Sequence, residues 1–398
     1  IMYPESVVPV WMQIPIAIWL GWKIRQGKSD LVYSGIALIL MYAFIIIGVY
    51  LPVSIPTTSE NSAIVGWCII LFIYVFIAST LPVHKLLQPR DYINSNQLLV
   101  AMFLILISFF VAHPLITAPA INHKIFTETS MVPKMMPALF IIIACGAISG
   151  FHSLASSGTT VKQVDKEKDT LFIGFGGMLT ESFLAVLALM AVGAGLGMGF
   201  TDSNGIHFKG EEAFAIFYSD WNALNSMKTN LDAFITGTSN LLATIGIPLK
   251  FGKSMVAVFI VSFAGTTLDS ATRIQRLSLQ EIFKNKKGVI KYPINNRYIA
   301  TFIIIALAAT LSFIKPGGKG AMLLWPLFGS LNQLLAGLAL GIVTIYLFLK
   351  KKNIIYTFIP MVFIMFMTLW AMGENLVLFI HKKEILLSLI SVLILLLT

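Results

Sequence analysis

Repeated apolar runs of about 17 to 25 residues dominate this sequence. Each is long enough to cross a hydrocarbon core of about 30 Å as a helix. Of 398 residues, 57% are hydrophobic and only 12% charged, and the mean hydropathy is +0.85. A soluble domain of that size would leave too much of this surface in water. The pattern predicts an all-α polytopic membrane protein with about eleven spans, near 7–22, 31–52, 63–82, 97–113, 136–160, 171–197, 254–272, 298–314, 321–349, 354–372 and 384–398. Between them, 198–253 is the longest polar interruption. Its second half, "LDAFITGTSNLLATIGIPLKFGKS", has the mixed face of an interfacial or partly re-entrant helix.

Charge orients the spans. The loops after the odd-numbered spans hold 18 of the 28 Lys and Arg residues and the other loops hold 10. Positive charge favours the cytoplasmic side. Residue 1 is therefore expected outside, with loops 23–30, 161–170, 273–297 and 350–353 in the cytoplasm. The net charge of +10 is spread over these short loops, and no basic helix with interleaved aromatics suggests nucleic acid. Cys68 and Cys145 lie in apolar runs without ligand spacing, so they read as packing residues, and the sequence calls for no metal or cofactor. The opening "IMYPESVVPVW" lacks the basic region and cleavage site of a signal peptide.

The polar residues within the spans carry the functional reading. Glu181 is ten residues past Leu171, about 15 Å along its helix, and Asp269 is about 21 Å past Met255. A carboxylate at such depth must be protonated, paired or hydrated, which marks both as proton-coupling candidates. The alternatives are a neutral acid bonding a neighbouring helix for Glu181, and capping or an i,i+4 pair with Arg273 for Asp269. His152, about 22 Å past Pro137, joins them as a group that titrates near neutrality or else is a packing histidine. It lies in "CGAISGFHSLASSGTT" (145–160), where Gly146, Gly150 and Gly158 permit unwinding or close approach and Ser153, Ser156, Ser157, Thr159 and Thr160 supply hydroxyls. In 323–349, Pro326 and Gly329 break the helix early, and Asn332 and Gln333 follow. Such broken helices bind solutes near the midplane, or the amides simply join neighbouring helices.

Weaker signals read as structure. "GFGG" (174–177) lacks a strand–turn–helix setting and suggests helix packing, and "GAGLGMG" (193–199) suggests close packing or a helix end. No Walker sequence is present, against an ATP-driven pump. Arg90–Asp91 reads as an inner-loop turn, and no deep Lys or Arg stands clearly within a span.

Five stretches together resemble the carbon starvation protein A (CstA) family of bacterial inner-membrane transporters. They are "LPVHKLLQPRDY" (81–92), "CGAISGFHSLASSGTT", "GFGGMLTESFLAVLALMA" (174–191), "TLDSATRIQR" (267–276) and "LLWPLFGSLNQLLAGLAL" (323–340), in the family's order. The resemblance covers most of 7–372. It implies secondary transport of peptides or pyruvate in a fold placed with the amino acid–polyamine–organocation (LeuT-like) transporters, which contain an inverted repeat. Family members carry further spans before the point where this chain begins, so residues 1–398 are expected to be one integral membrane domain, the C-terminal part of a longer architecture, with 198–253 outside the cytoplasm.

These readings combine into an expected proton-coupled importer of small metabolites, linked to nutrient starvation, with the bilayer and the coupling proton as its other partners. Gly150, His152, Ser153, Ser156, Ser157, Thr159, Pro326, Gly329, Asn332 and Gln333 are expected to bind substrate. Glu181, with His152 or Asp269, is expected to carry the proton. The alternative is a membrane nutrient sensor without net flux. A serine hydrolase using His152 and Ser156 or Ser157 lacks the strand-to-helix elbow that such a nucleophile needs.

Overall fold

The computed structural model describes residues 3–57, 59–120, 136–137, 140–202, 205–218 and 227–397. Apolar sequence becomes helix because, away from water, a helix satisfies its backbone hydrogen bonds within one segment. The helices are α1 (Val7–Arg25), α2 (Asp30–Tyr50), α3 (Glu60–Thr80), α4 (Leu87–Ala112), α5 (Phe140–Ala147), α6 (Gly150–Gly158) and α7 (Asp169–Met190). They continue as α8 (Gly210–Tyr218), α9 (Met227–Thr244), α10 (Leu249–Ile282), α11 (Arg297–Phe313), α12 (Trp325–Leu349), α13 (Ile355–His381) and α14 (Ile385–Leu397). A two-residue hairpin pairs β1 (Phe200–Thr201) with β2 (His207–Phe208). Among the described residues, eight helices are long and apolar enough to cross a membrane, and Arg297–Phe313 and Ile385–Leu396 are shorter apolar helices. Phe172 and Leu349 are 83% and 73% exposed, as side chains facing lipid would be.

Several spans differ from expectation. The run 136–160 is interrupted between α5 and α6, where Ser149 caps α6 by accepting from the His152 amide. α12 is not broken at Pro326. That proline occupies the first turn, where its missing N–H costs nothing, and the helix runs on through Gly329. The irregular backbone lies earlier, in a 3-10 stretch (Pro316–Leu324) where Gly317 and Gly318 take left-handed φ of 74° and 71°. α10 exceeds its expected limits, reaching Ile282. At 1.5 Å per residue its 34 residues measure about 51 Å, more than the hydrocarbon thickness.

The chain divides into two compact units, residues 1–130 with 165–273, and residues 131–164 with 274–398. In the first unit, Ala17, Leu20, Met41, Ile93 and Val258 form a buried cluster joining α1, α2, α4 and α10. A second cluster joins α4, α7 and α9 through Ile105, Leu187 and Leu241. α9 is drawn into the body of this unit, with Ala233, Thr238 and Leu241 fully buried. "GAGLGMG" is both helix end and packing site. α7 leaves through a π-helical turn, and a Cβ on Gly195 would stand 2.4 Å from the Gly237 carbonyl of α9. The glycines of "GFGG", by contrast, have open space around them rather than a packed helix. In the second unit, α12 and α13 form an antiparallel pair around Leu327, Met372 and Phe379, with Leu387 of α14 completing the cluster.

Candidate functional site

Each unit buries a polar cluster, and the clusters differ in kind. In the first unit, α4 places Arg90, Asn94 and Gln97 at i, i+4 and i+7, and α10 places Ser262, Thr266, Asp269 and Arg273 at the same helical period. All seven side chains are buried. Helical spacing puts each set on one face, and the faces meet. Asn94 Nδ2 lies 3.4 Å from both the Ser262 carbonyl and Thr266 Oγ1.

At the centre of this contact, Arg90 Nη1 donates to Asp269 Oδ2 at 3.2 Å, with the side chains 2% and 1% exposed. Tyr74 of α3 donates its hydroxyl to the same carboxylate oxygen at 2.9 Å and accepts from Arg90 Nη1. Gln13 of α1 accepts from Arg90 Nε at 3.2 Å and donates to Asn94. Gly265 makes room for the guanidinium, since a Cβ there would stand 2.3 Å from Arg90 Nη2. The sequence reading of Arg90 is thereby corrected. It lies in the first turn of a long helix, reaching inward to a carboxylate, and not in a loop turn. Asp269 pairs with Arg90 rather than with Arg273, whose Nη2 donates to the Ala78 carbonyl at 2.6 Å. Two arginines are therefore buried among the helices, where the sequence shows no clear sign of one.

The cluster is not fully satisfied. Among the described residues Asp269 Oδ1 and Arg273 Nε are buried without partners, although buried polar atoms are generally bonded. A cavity of about 210 Å³ lies on the other side of Tyr74 and Arg90, which are among its lining residues. Val7, Trp11, Trp67 and Leu71 give it a mainly apolar lining, in which Tyr74 and Arg90 also take part. A larger hollow of about 570 Å³ in the same unit is lined by His207, Asn240, Lys250 and Lys253.

The second unit contributes an uncharged cluster. Asn332 of α12 accepts from the Phe151 amide at 2.7 Å and bonds the Ser149 hydroxyl at 3.2 Å, so it caps α6 alongside Ser149. Gly150 lets the helices touch; a Cβ there would lie 2.3 Å from the Asn332 carbonyl. Gly329 faces Ile141, whose Cγ2 would stand 3.3 Å from an added Cβ. Gln333 is fully buried, and neither side-chain amide atom has a partner among the described residues.

Gly150, Gly329 and Asn332 thus come together around α12, α5 and α6. Pro326 starts α12, and its side chain lies outside the described residues. His152, Ser156 and Ser157 are exposed. The hydroxyls of Ser153, Ser156, Ser157 and Thr159 bond carbonyls of their own helix at 2.7, 3.0, 3.2 and 2.8 Å. Such back-bonding leaves them less available to a ligand. Glu181 sits on an exposed stretch of α7. Among these sequence candidates, Asp269 is the one held in a buried ion pair.

One ion pair and several unpartnered polar atoms buried among apolar spans mark a multi-pass membrane protein with interior polar sites, more than an anchor requires. The family model described as "Carbon starvation protein CstA" matches residues 1–371, and the chain belongs to that family of multi-pass proteins of the bacterial inner membrane. It is 32% identical to the peptide transporter CstA of Mycobacterium tuberculosis (strain ATCC 25618 / H37Rv), over 90% of this chain and 52% of that protein. It is 31% identical to the pyruvate/proton symporter BtsT of Escherichia coli K12, over 94% of this chain and 60% of that protein. The peptide transporter CstA of Bacillus subtilis 168 is 27% identical, over 91% and 62%. The chain thus spans somewhat more than half the length of these relatives. No solved structure matches it.

Proposed function

We propose that this chain forms the core of a secondary active transporter that imports a small metabolite, a peptide or pyruvate, together with protons, in support of growth under nutrient starvation. The observation that carries this reading is the buried Arg90–Asp269 pair with its unpartnered Asp269 oxygen. A carboxylate among spans is held ionised only by its partners, and it can alternate between ion pair and neutral acid. The names of the relatives, peptide transporters and a pyruvate/proton symporter, support solute movement rather than catalysis. Asp269 is the leading coupling carboxylate, with Glu181 and His152 as further proton sites. Gly150, Gly329, Asn332 and Gln333, with the nearby His152, Ser153, Ser156, Ser157, Thr159 and Pro326, form a second solute-binding region. The test is uptake of radiolabelled pyruvate and dialanine by the full-length protein in proteoliposomes under an inward proton gradient. Accumulation of either solute that collapses with a protonophore is expected. Tight binding of a solute without accumulation would replace the transporter with a nutrient sensor.

A further inference from the structure

Arg90, whose guanidinium is already paired with the Asp269 carboxylate, is also among the residues that line the cavity of the first unit, and this arrangement suggests how two events are linked. Arg90 faces two ways. Nη1 and Nε engage Asp269, Tyr74 and Gln13, while the residue also lines the cavity beside Gly265. The cavity's other walls are apolar, and its volume of about 210 Å³ falls below the roughly 300–1,000 Å³ of sites for drug-sized ligands. It offers one cationic group. The carboxylate that would balance a solute's ammonium lies behind the arginine rather than on the wall.

We propose that this cavity binds a small monocarboxylate with an apolar stub, and that the solute's carboxylate and Asp269 compete for Arg90. The proposal rests on the transport reading above and names its site. A proton taken up by Asp269 neutralises the acid and releases Arg90. The incoming anion then takes the guanidinium, which binds carboxylates readily. On the inner side the proton leaves, Asp269 reclaims Arg90 and the anion is displaced. One proton and one anion cross together, so no net charge moves. The charged and titratable groups acting on Asp269 are Arg90 and Asp91 of α4, Tyr74 of α3 and Arg273 of its own helix. Arg273 turns one nitrogen to the Ala78 carbonyl.

The test uses full-length protein in proteoliposomes, with radiolabelled pyruvate and dialanine as probes. Driven uptake is measured under a pH gradient with and without an imposed membrane potential, and solute counterflow is measured without any gradient. Wild type should accumulate pyruvate with the pH gradient, changed less than twofold by the potential. Asp269→Asn should lose driven accumulation at least tenfold while still exchanging pyruvate. The double variant Arg90→Gln/Asp269→Asn, which removes both charges of the pair, should lose both. Ala264→Phe intrudes on the cavity wall without touching the ion pair and should raise the KM for pyruvate at least tenfold in a protein that still folds. Undiminished driven uptake in Asp269→Asn, an unchanged KM in Ala264→Phe, or uptake driven by potential alone would overturn the exchange. Accumulation of dialanine but not pyruvate would also overturn it and leave proton-coupled transport standing. Neither accumulation nor counterflow of either probe would remove both readings.

Discussion

The two polar clusters solve different problems. In the first unit a full ion pair, Arg90–Asp269, is held by Tyr74 and Gln13. In the second, amides and a hydroxyl around Ser149, Asn332 and Gln333 carry no charge at all. A buried ion pair is a poor way to gain stability, because desolvation offsets much of the attraction, yet losing one partner is severe. A neutral cluster costs less to bury and less to break. Charge in one unit and neutrality in the other suits a division between proton coupling and solute or backbone positioning.

Breaking the charged cluster should give the largest effect. Arg90→Gln strands a buried carboxylate and should lower stability by about 3–5 kcal/mol, seen as a fall in the unfolding midpoint in detergent. Adding Asp269→Asn should recover most of that loss, and failure to recover would mean that Arg90 acts through packing. Next comes Gly150→Ala in the neutral cluster. The new methyl meets backbone of α12 that cannot simply rotate away, so about 1–3 kcal/mol should be lost. Gln333→Met sharpens the comparison in the opposite sense. The glutamine has no partner for either amide atom, and burying an unbonded amide costs about 1–3 kcal/mol. Methionine should therefore leave stability unchanged or higher while uptake falls severalfold. A destabilised Gln333→Met would show that the amide is structurally satisfied.

Much of this architecture is legible in the sequence, because length and hydropathy fix where helices can cross a bilayer. Among the described residues eight helices are long and apolar enough to cross a membrane, and "SGFHS" marks a real interruption, where Ser149 and Asn332 replace lost backbone partners. Arg90 was hidden by its surroundings. "PVHKLLQPRDY" carries two prolines, a histidine and three charges, so a hydropathy window reads it as loop. The legible sign is the spacing. Arg90, Asn94 and Gln97 repeat at helical period, as do Ser262, Thr266, Asp269 and Arg273, and a polar stripe along an apolar helix has to find a partner stripe. Pairing the stripes needed the structure, since nothing local says which helices meet. Pro326 misled for a related reason, because a proline ends a helix from within but starts one at its first turn.

The smallest effect should come from the outer edge of the first unit, where Tyr3 donates to the Asp232 carboxylate. Burial, with that carboxylate nearby, holds the phenol above its usual range. Its folded value is raised, so its contribution is complete below the ordinary tyrosine pKa of about 10 and fades above it. Tyr3→Phe should cost about 1 kcal/mol at neutral pH, and the difference from wild type should shrink in alkaline unfolding experiments.

The most direct test sets two intramembrane carboxylates against each other, one paired in the buried cluster and one on the exposed stretch of α7. Pyruvate uptake under an imposed proton gradient is compared in Asp269→Asn and Glu181→Gln, both reconstituted from full-length protein. The charged cluster as coupling site predicts that Asp269→Asn loses gradient-driven accumulation at least tenfold, while Glu181→Gln retains most of it. Loss in Glu181→Gln with retention in Asp269→Asn would contradict that account and move the proton pathway to α7.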